Sequence, residues 1–151
     1  MIRLENLTQA RVTACAQLYR DAYALPPWEE TYEAQEIEAY LRGFMGSDAY
    51  GAYVLTKGGE CVALALCVLI PGVGCPSLRV EDICVAPAFQ RKGYGGTMMR
   101  LLKKQAARLG ADCILLGTQR GFPSHAFYLK NGFEEIDTSV LLYSEVDDGK
   151  I

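Results

Sequence analysis

Gln90-Arg91-Lys92-Gly93-Tyr94-Gly95-Gly96-Thr97 stands between a strand-like run and a helical one, and the reading of the chain turns on it. Upstream, Leu78-Arg79-Val80-Glu81-Asp82-Ile83-Cys84-Val85-Ala86-Pro87 gathers β-branched residues toward its end and stops at a proline, which predicts a strand. Downstream, Met98, Leu102, Gln105/Ala106 and Leu109 recur at helical spacing and Gly110 supplies the stop. Gly93, Gly95 and Gly96 let the backbone turn with its N–H groups converging and no Cβ in a ligand's way. Those donors, added to the positive end of the following helix, predict a seat for a phosphate or pyrophosphate.

Charge points the same way. No carboxylate occurs between Ile83 and Ala111, whereas Arg91, Lys92, Arg100, Lys103, Lys104 and Arg108 all do, in a chain of net charge −3. Lys104 and Arg108 suit the C-terminal end of a helix dipole. Arg91 and Lys92 precede the helix, where positive charge is unfavourable unless an anion is bound there.

The spacing excludes two common phosphate loops. Counting G-x-G-x-x-G from Gly93 requires a glycine where Met98 stands, and no Gly-Lys-Ser/Thr follows. The pattern is Gln-x-x-Gly-x-Gly after a strand, and with His125-Ala126-Phe127-Tyr128-Leu129-Lys130-Asn131-Gly132-Phe133 downstream it resembles the GNAT superfamily of acyl-CoA-dependent N-acyltransferases. The resemblance runs from about Val54 to the C-terminus. It implies an α/β fold of three layers, with a mixed, mostly antiparallel sheet of about six to seven strands, a central parallel pair and about four helices.

Composition sets the bounds. The 151 residues, half of them hydrophobic, suit one soluble domain spanning 1–151. The amino terminus lacks the pattern of a signal peptide, and the longest apolar run, Cys61 to Ile70, ends at Pro71-Gly72, so no membrane partner is expected and the cytoplasm is the default location. Six cysteines contain no C-x-x-C pair and there is one histidine, so the expectation is buried free thiols and no metal.

In chain order, Ile2–Leu7 reads as a strand and Arg11–Tyr23 as a helix. Leu25-Pro26-Pro27-Trp28 breaks the helix, and a second runs from a Thr31 cap to Phe44 or Met45 with Ile37, Tyr40, Leu41 and Phe44 on one face. Glu29, Glu30, Glu33, Glu36 and Glu38 crowd its start, either as dipole-matching surface acids or as a wall facing a cationic acceptor. Tyr50–Thr56 and Glu60–Ile70 flank the hairpin turn Lys57-Gly58-Gly59. Asp112–Thr118 reads as a buried strand, parallel to the motif strand because a helix of that length connects them. A helix over Ser124–Asn131 and strands over Phe133–Ile136 and Val140–Val146 complete the expected layout.

The resemblance assigns roles by position. Acetyl-CoA is the implied acyl donor, its pantetheine arm along the backbone of Ile83, Cys84 and Val85, and its pyrophosphate on the N–H groups of Arg91, Lys92, Gly93, Tyr94, Gly95 and Gly96, with Gln90 as a side-chain contact. Glu81 is the preferred base, acting through water, with Asp82 as the alternative base or an acceptor-amine ligand; adjacent residues of a regular strand point to opposite faces. Tyr128 matches the motif tyrosine that hydrogen-bonds the departing thiolate. Trp28 lines the acceptor pocket or caps the core. Gly121 stands where many relatives have an asparagine, which leaves that cofactor contact in doubt. His125 joins no catalytic constellation. The implied partner is a small-molecule amine, polyamine- or aminoglycoside-like. Protein amines are the alternative, as is a non-catalytic acyl-CoA sensor, and a homodimer is common in the family. No nucleic acid is expected from a chain of negative net charge.

Overall fold

The structure, a computed structural model, describes residues 1–149. Its sheet is built from β1 (Ile2–Asn6), β2 (Tyr50–Lys57), β3 (Glu60–Ile70), β4 (Ser77–Val85) and β5 (Ile114–Leu116), side by side in that order. The first three pairings are antiparallel and β4 runs parallel to β5. The helices are α1 (Val12–Tyr23), α2 (Ala34–Arg42), α3 (Tyr94–Arg108) and α4 (Pro123–Lys130). Among the described residues, no helix is long and apolar enough to cross a membrane.

Alternation along the central strands divides the core into two layers, because successive strand residues face opposite sides of a sheet. Ala63, Ala65 and Cys67 of β3 pack with Met98, Met99 and Leu102 of α3, and Tyr128 of α4 joins them. Leu64 and Leu66 pack on the other side with Val12, Cys15 and Tyr19 of α1 and Ile37 and Leu41 of α2. The result is helices on both faces of one sheet. The β2–β3 turn has φ of 58° at Gly58 and 85° at Gly59, left-handed backbone that glycine adopts without strain.

β4 is irregular at one point. Leu66 pairs with Asp82 while the next residue, Cys67, pairs with Val80, so Glu81 is an extra residue in β4. Leu78 and Val80 before the bulge, and Ile83 and Val85 after it, all pack toward α3.

The structure corrects several expectations. Among the described residues five strands are present, because Phe133–Ile136 and Val140–Val146 form none: Val140, Leu141, Leu142, Tyr143 and Val146 are exposed and pair with no other strand. An alternating apolar pattern makes a strand only where a neighbour offers a ladder. β5 is confined to Ile114–Leu116, the extent of its pairing with β4. α2 is capped by Glu33 rather than Thr31, through a reciprocal capping box with Glu36. All six cysteines are free; Cys15 and Cys67 are buried, but Cys113 is exposed near the sheet edge.

Candidate active site

The β4–β5 ladder pairs Leu78 with Ile114, Arg79 with Leu115 and Val80 with Leu116, and stops there. Glu81 pairs with neither neighbour, and from Asp82 onward β4 keeps β3 on one side only. A cavity of about 390 Å³ opens at this divergence, lined by Val80, Glu81, Asp82 and Ile83 from β4 and by Leu116, Gly117 and Thr118 from the β5 side. Trp28, Glu30 and Tyr128 also line it. A slightly larger cavity, about 440 Å³, lies between α3, Ile114 and Phe133 and touches none of the residues expected in the site.

The glycine turn sits at the other end of the unpaired stretch. Gly93 has φ 88° and α3 begins at Tyr94, so Gly95 and Gly96 belong to the first helical turn rather than to a loop before it. The first N–H of this turn to find a backbone acceptor is that of Thr97, on Gly93 O at 3.2 Å. The preceding N–H groups are the orphan donors of a helix start, suited to an anion. Arg91 and Lys92 beside them are exposed, Arg91 with φ 60°. A Cβ on Gly95 would lie 3.0 Å from the Phe127 ring, and one on Gly96 3.3 Å from Asn131 Oδ1, so these glycines let α3 seat tightly against α4. The turn therefore fits a CoA pyrophosphate, and the bare edge of Ile83, Cys84 and Val85 fits the arm that leads from it.

The side chain of Gln90, expected on the cofactor, is engaged within the chain. Gln90 donates from Nε2 to Val85 O at 3.0 Å, which ties the turn to the end of β4. The Tyr94 hydroxyl accepts from Lys57 Nζ at 2.8 Å.

The two carboxylates of the motif strand do not part to opposite faces. The bulge breaks the alternation, and both line the same cavity. Glu81 pairs with Arg79 at 2.7 Å. Asp82 turns toward α1 and α2, where it accepts hydrogen bonds from Tyr40 at 2.5 Å and Tyr23 at 2.8 Å; the Tyr19 hydroxyl stands at 3.5 Å, the outer limit of such a bond. Burial raises the Asp82 pKa from its ordinary value, an effect the Tyr40 and Tyr23 hydroxyls oppose and the Glu81 charge reinforces. The same burial pushes the phenols of Tyr19, Tyr23 and Tyr40 upward.

Sequence reasoning put Tyr19 and Tyr23 within the first helix and Tyr40 on the apolar face of the second, and missed that the three meet. The available signal was their chemistry: a tyrosine on a buried face carries a hydroxyl that needs a partner. Tyr19 and Tyr23, four apart on α1, reach the same partner. Of the five early glutamates, Glu30 reaches the cavity, bonded by the Tyr32 hydroxyl. Glu33 and Glu36 serve the helix cap, and Glu38 accepts from Thr13 at 2.7 Å. Trp28 stands edge-on between Tyr23 and Phe122 at the cavity wall, 37% exposed.

Tyr128 is buried on α4 with its ring against Phe127 and Phe133. Burial, helped by the Asp82 charge, pushes its phenol up to about 12, so it holds its proton at neutral pH. His125 lies outside the cavity lining, 2.6 Å from Glu135, which also binds Arg120 at 2.7 Å.

Comparison with known proteins agrees with this geometry. An uncharacterized N-acetyltransferase of Bacillus subtilis (strain 168) is 26% identical over 149 residues, covering 91% of this chain and 95% of its own. A protein described as a possible acetyltransferase from Clostridium difficile 630 superposes with a TM-score of 0.83 at 12% identity, over 97% of this chain and 99% of that one. The glucosamine-6-phosphate N-acetyltransferase of Arabidopsis thaliana gives 0.70 at 14% identity, over 97% and 99%. Residues 12–133 match the family described as Acetyltransferase (GNAT), and with strand divergence, glycine turn and motif tyrosine all in place, the chain belongs to that family.

Proposed function

We propose that this protein transfers the acetyl group of acetyl-CoA to the primary amine of a small molecule by direct attack. The observation that carries the reading is the divergence of β4 from β5 at Val80, with a carboxylate-lined cavity at the split and an anion-binding turn beyond Val85. The stretch from Val80 to Val85 spans roughly 17 Å at about 3.3 Å per residue. That is room for an extended arm between the two ends.

In this reading Arg91, Lys92, Gly93, Tyr94, Gly95 and Gly96 hold the pyrophosphate and the free edge of Ile83, Cys84 and Val85 orients the arm. Gln90 acts by fixing the turn to β4 rather than by touching the cofactor. Bound acetyl-CoA supplies an activated thioester carbonyl. An alkylammonium with a pKa near roughly 10 must lose a proton before it can attack, and Glu81, at the cavity with Arg79 orienting it, takes that proton through water. Tyr128, kept protonated by burial, donates to the departing sulfur. Polyamines and aminoglycosides are acceptors of the right kind. An aminoglycoside 6′-N-acetyltransferase solved with a CoA-linked bisubstrate analogue shares this fold with a TM-score of 0.77.

The test is release of CoA thiol from acetyl-CoA across polyamines, aminoglycosides, amino acids and lysine-bearing peptides. Turnover with a small amine well above hydrolysis without acceptor is the expected result. Turnover confined to peptides would reassign the acceptor to protein amines. Thermal stabilisation by acetyl-CoA with no turnover on any amine would replace the enzyme reading by an acyl-CoA sensor.

A further inference from the structure

We propose that Asp82, with the tyrosines that close on it, is the anchor for the acceptor's ammonium group, and that the acceptor is a cationic amine with an apolar or aromatic body and no carboxylate or phosphate of its own. This rests on the acetyl-transfer reading above and narrows its substrate.

Three observations converge. First, the cavity lining contains the carboxylates of Glu30, Glu81 and Asp82, and among the described residues it contains no lysine, arginine or histidine. Arg79, beside it, is already tied to Glu81. A pocket of this sign attracts a cation and offers nothing to neutralise an acid carried by the acceptor.

Second, Asp82 is held in place. A carboxylate offers about four lone-pair sites. Tyr40 and Tyr23 take two and Tyr19 borders a third, which fixes the group and leaves a position for an ammonium. Third, one wall is aromatic. The Tyr19 and Tyr23 centroids lie 4.5 Å apart, Trp28 stands 5.3 Å from Tyr23, and Phe122 lies 6.3 Å from Trp28. Ring faces attract a cation and pack against an apolar body.

Trp28 is the only tryptophan and stands in the cavity wall, so its emission reads occupancy whether or not acetyl transfer occurs. The full chain, with CoA present, is titrated with matched pairs: phenethylamine against phenylalanine, and cadaverine against lysine. Each decarboxylated member is expected to bind at least about tenfold tighter than its amino acid. Asp82→Asn is expected to erase that preference, and Tyr40→Phe, should the first variant misfold, to reduce amine affinity by about threefold or more. Equal binding within both pairs, no saturable response to any amine, or an undiminished preference in Asp82→Asn would overturn the anchor, as would unchanged affinity in Tyr40→Phe. Thiol release is measured in parallel. Amines that bind with the stated preference but release no thiol uphold the anchor and remove acetyl transfer, while turnover without preference does the reverse.

Discussion

A carboxylate ringed by phenols is held in a charge state that the surrounding protein resists. Burial raises the Asp82 pKa, so the native state binds this proton more readily than the unfolded chain does. Its contribution to stability is therefore fully present below the unfolded pKa and is lost as pH rises through the folded one. At neutral pH the charged group is a standing cost. Asp82→Asn is expected to raise the melting temperature at pH 7, with the gain shrinking as the pH falls toward about 4; a gain that grows on acidification would show that the hydrogen bonds outweigh burial. Tyr128 makes the complementary case, a proton that burial retains at neutral pH. With its phenol near 12, Tyr128 brings no loss of activity between pH 7 and 10, and Tyr128→Phe should lower kcat on the order of a hundredfold while KM for the amine changes little. Undiminished kcat in that variant removes Tyr128 from the reaction.

The helix α3 shows what two neighbouring glycines do for different reasons. Gly93 needs its left-handed φ of 88°, and a Cβ there meets nothing within 4 Å. Gly95 needs its missing Cβ, because Phe127 stands 3.0 Å from where that atom would be. Gly93→Ala should cost about 1–2 kcal/mol in urea unfolding through backbone strain. Gly95→Ala should cost about 1–3 kcal/mol through overpacking and also slow turnover, since Phe127 adjoins Tyr128 on α4. Equal kcat in the two variants would show that α4 absorbs the added methyl without moving its tyrosine. The turn itself was legible in the sequence, because strand, three glycines and apolar helical stripe each have a local cause. So was the parallel crossover, which the length of α3 requires. The Asp82 cluster was not: Tyr19, Tyr23 and Tyr40 come from two helices and meet β4 only after the sheet packs, and no local pattern records that meeting. The missing C-terminal strands have the converse cause, since Val140–Val146 carries the pattern of a strand without a ladder to join.

Across the whole molecule, β4 runs between two fields of opposite sign, with Glu30, Glu81 and Asp82 at the cavity and Arg91 and Lys92 at the turn. Salt should act on them unequally. Screening shortens to about 3 Å at 1 M from about 10 Å at 0.1 M and bears most on exposed charges. Acetyl-CoA affinity is therefore expected to fall several-fold between about 0.1 and 1 M potassium chloride, while affinity for the amine, held at a half-buried carboxylate, falls less; equal losses by calorimetry would place both ligands on surface charge alone. The bulge in β4 carries a different lesson. Leu78, Arg79, Val80, Asp82, Ile83, Cys84 and Val85 would alternate without a break if Glu81 were struck out, and Cys67 and Leu66 would face consecutive residues. Glu81 is a parenthesis in the strand: the sentence parses without it. A chain lacking this one residue should still fold and still grip an amine at Asp82, yet release no CoA thiol, so that the means of holding a substrate and the means of activating it can be lost, or acquired, one residue at a time.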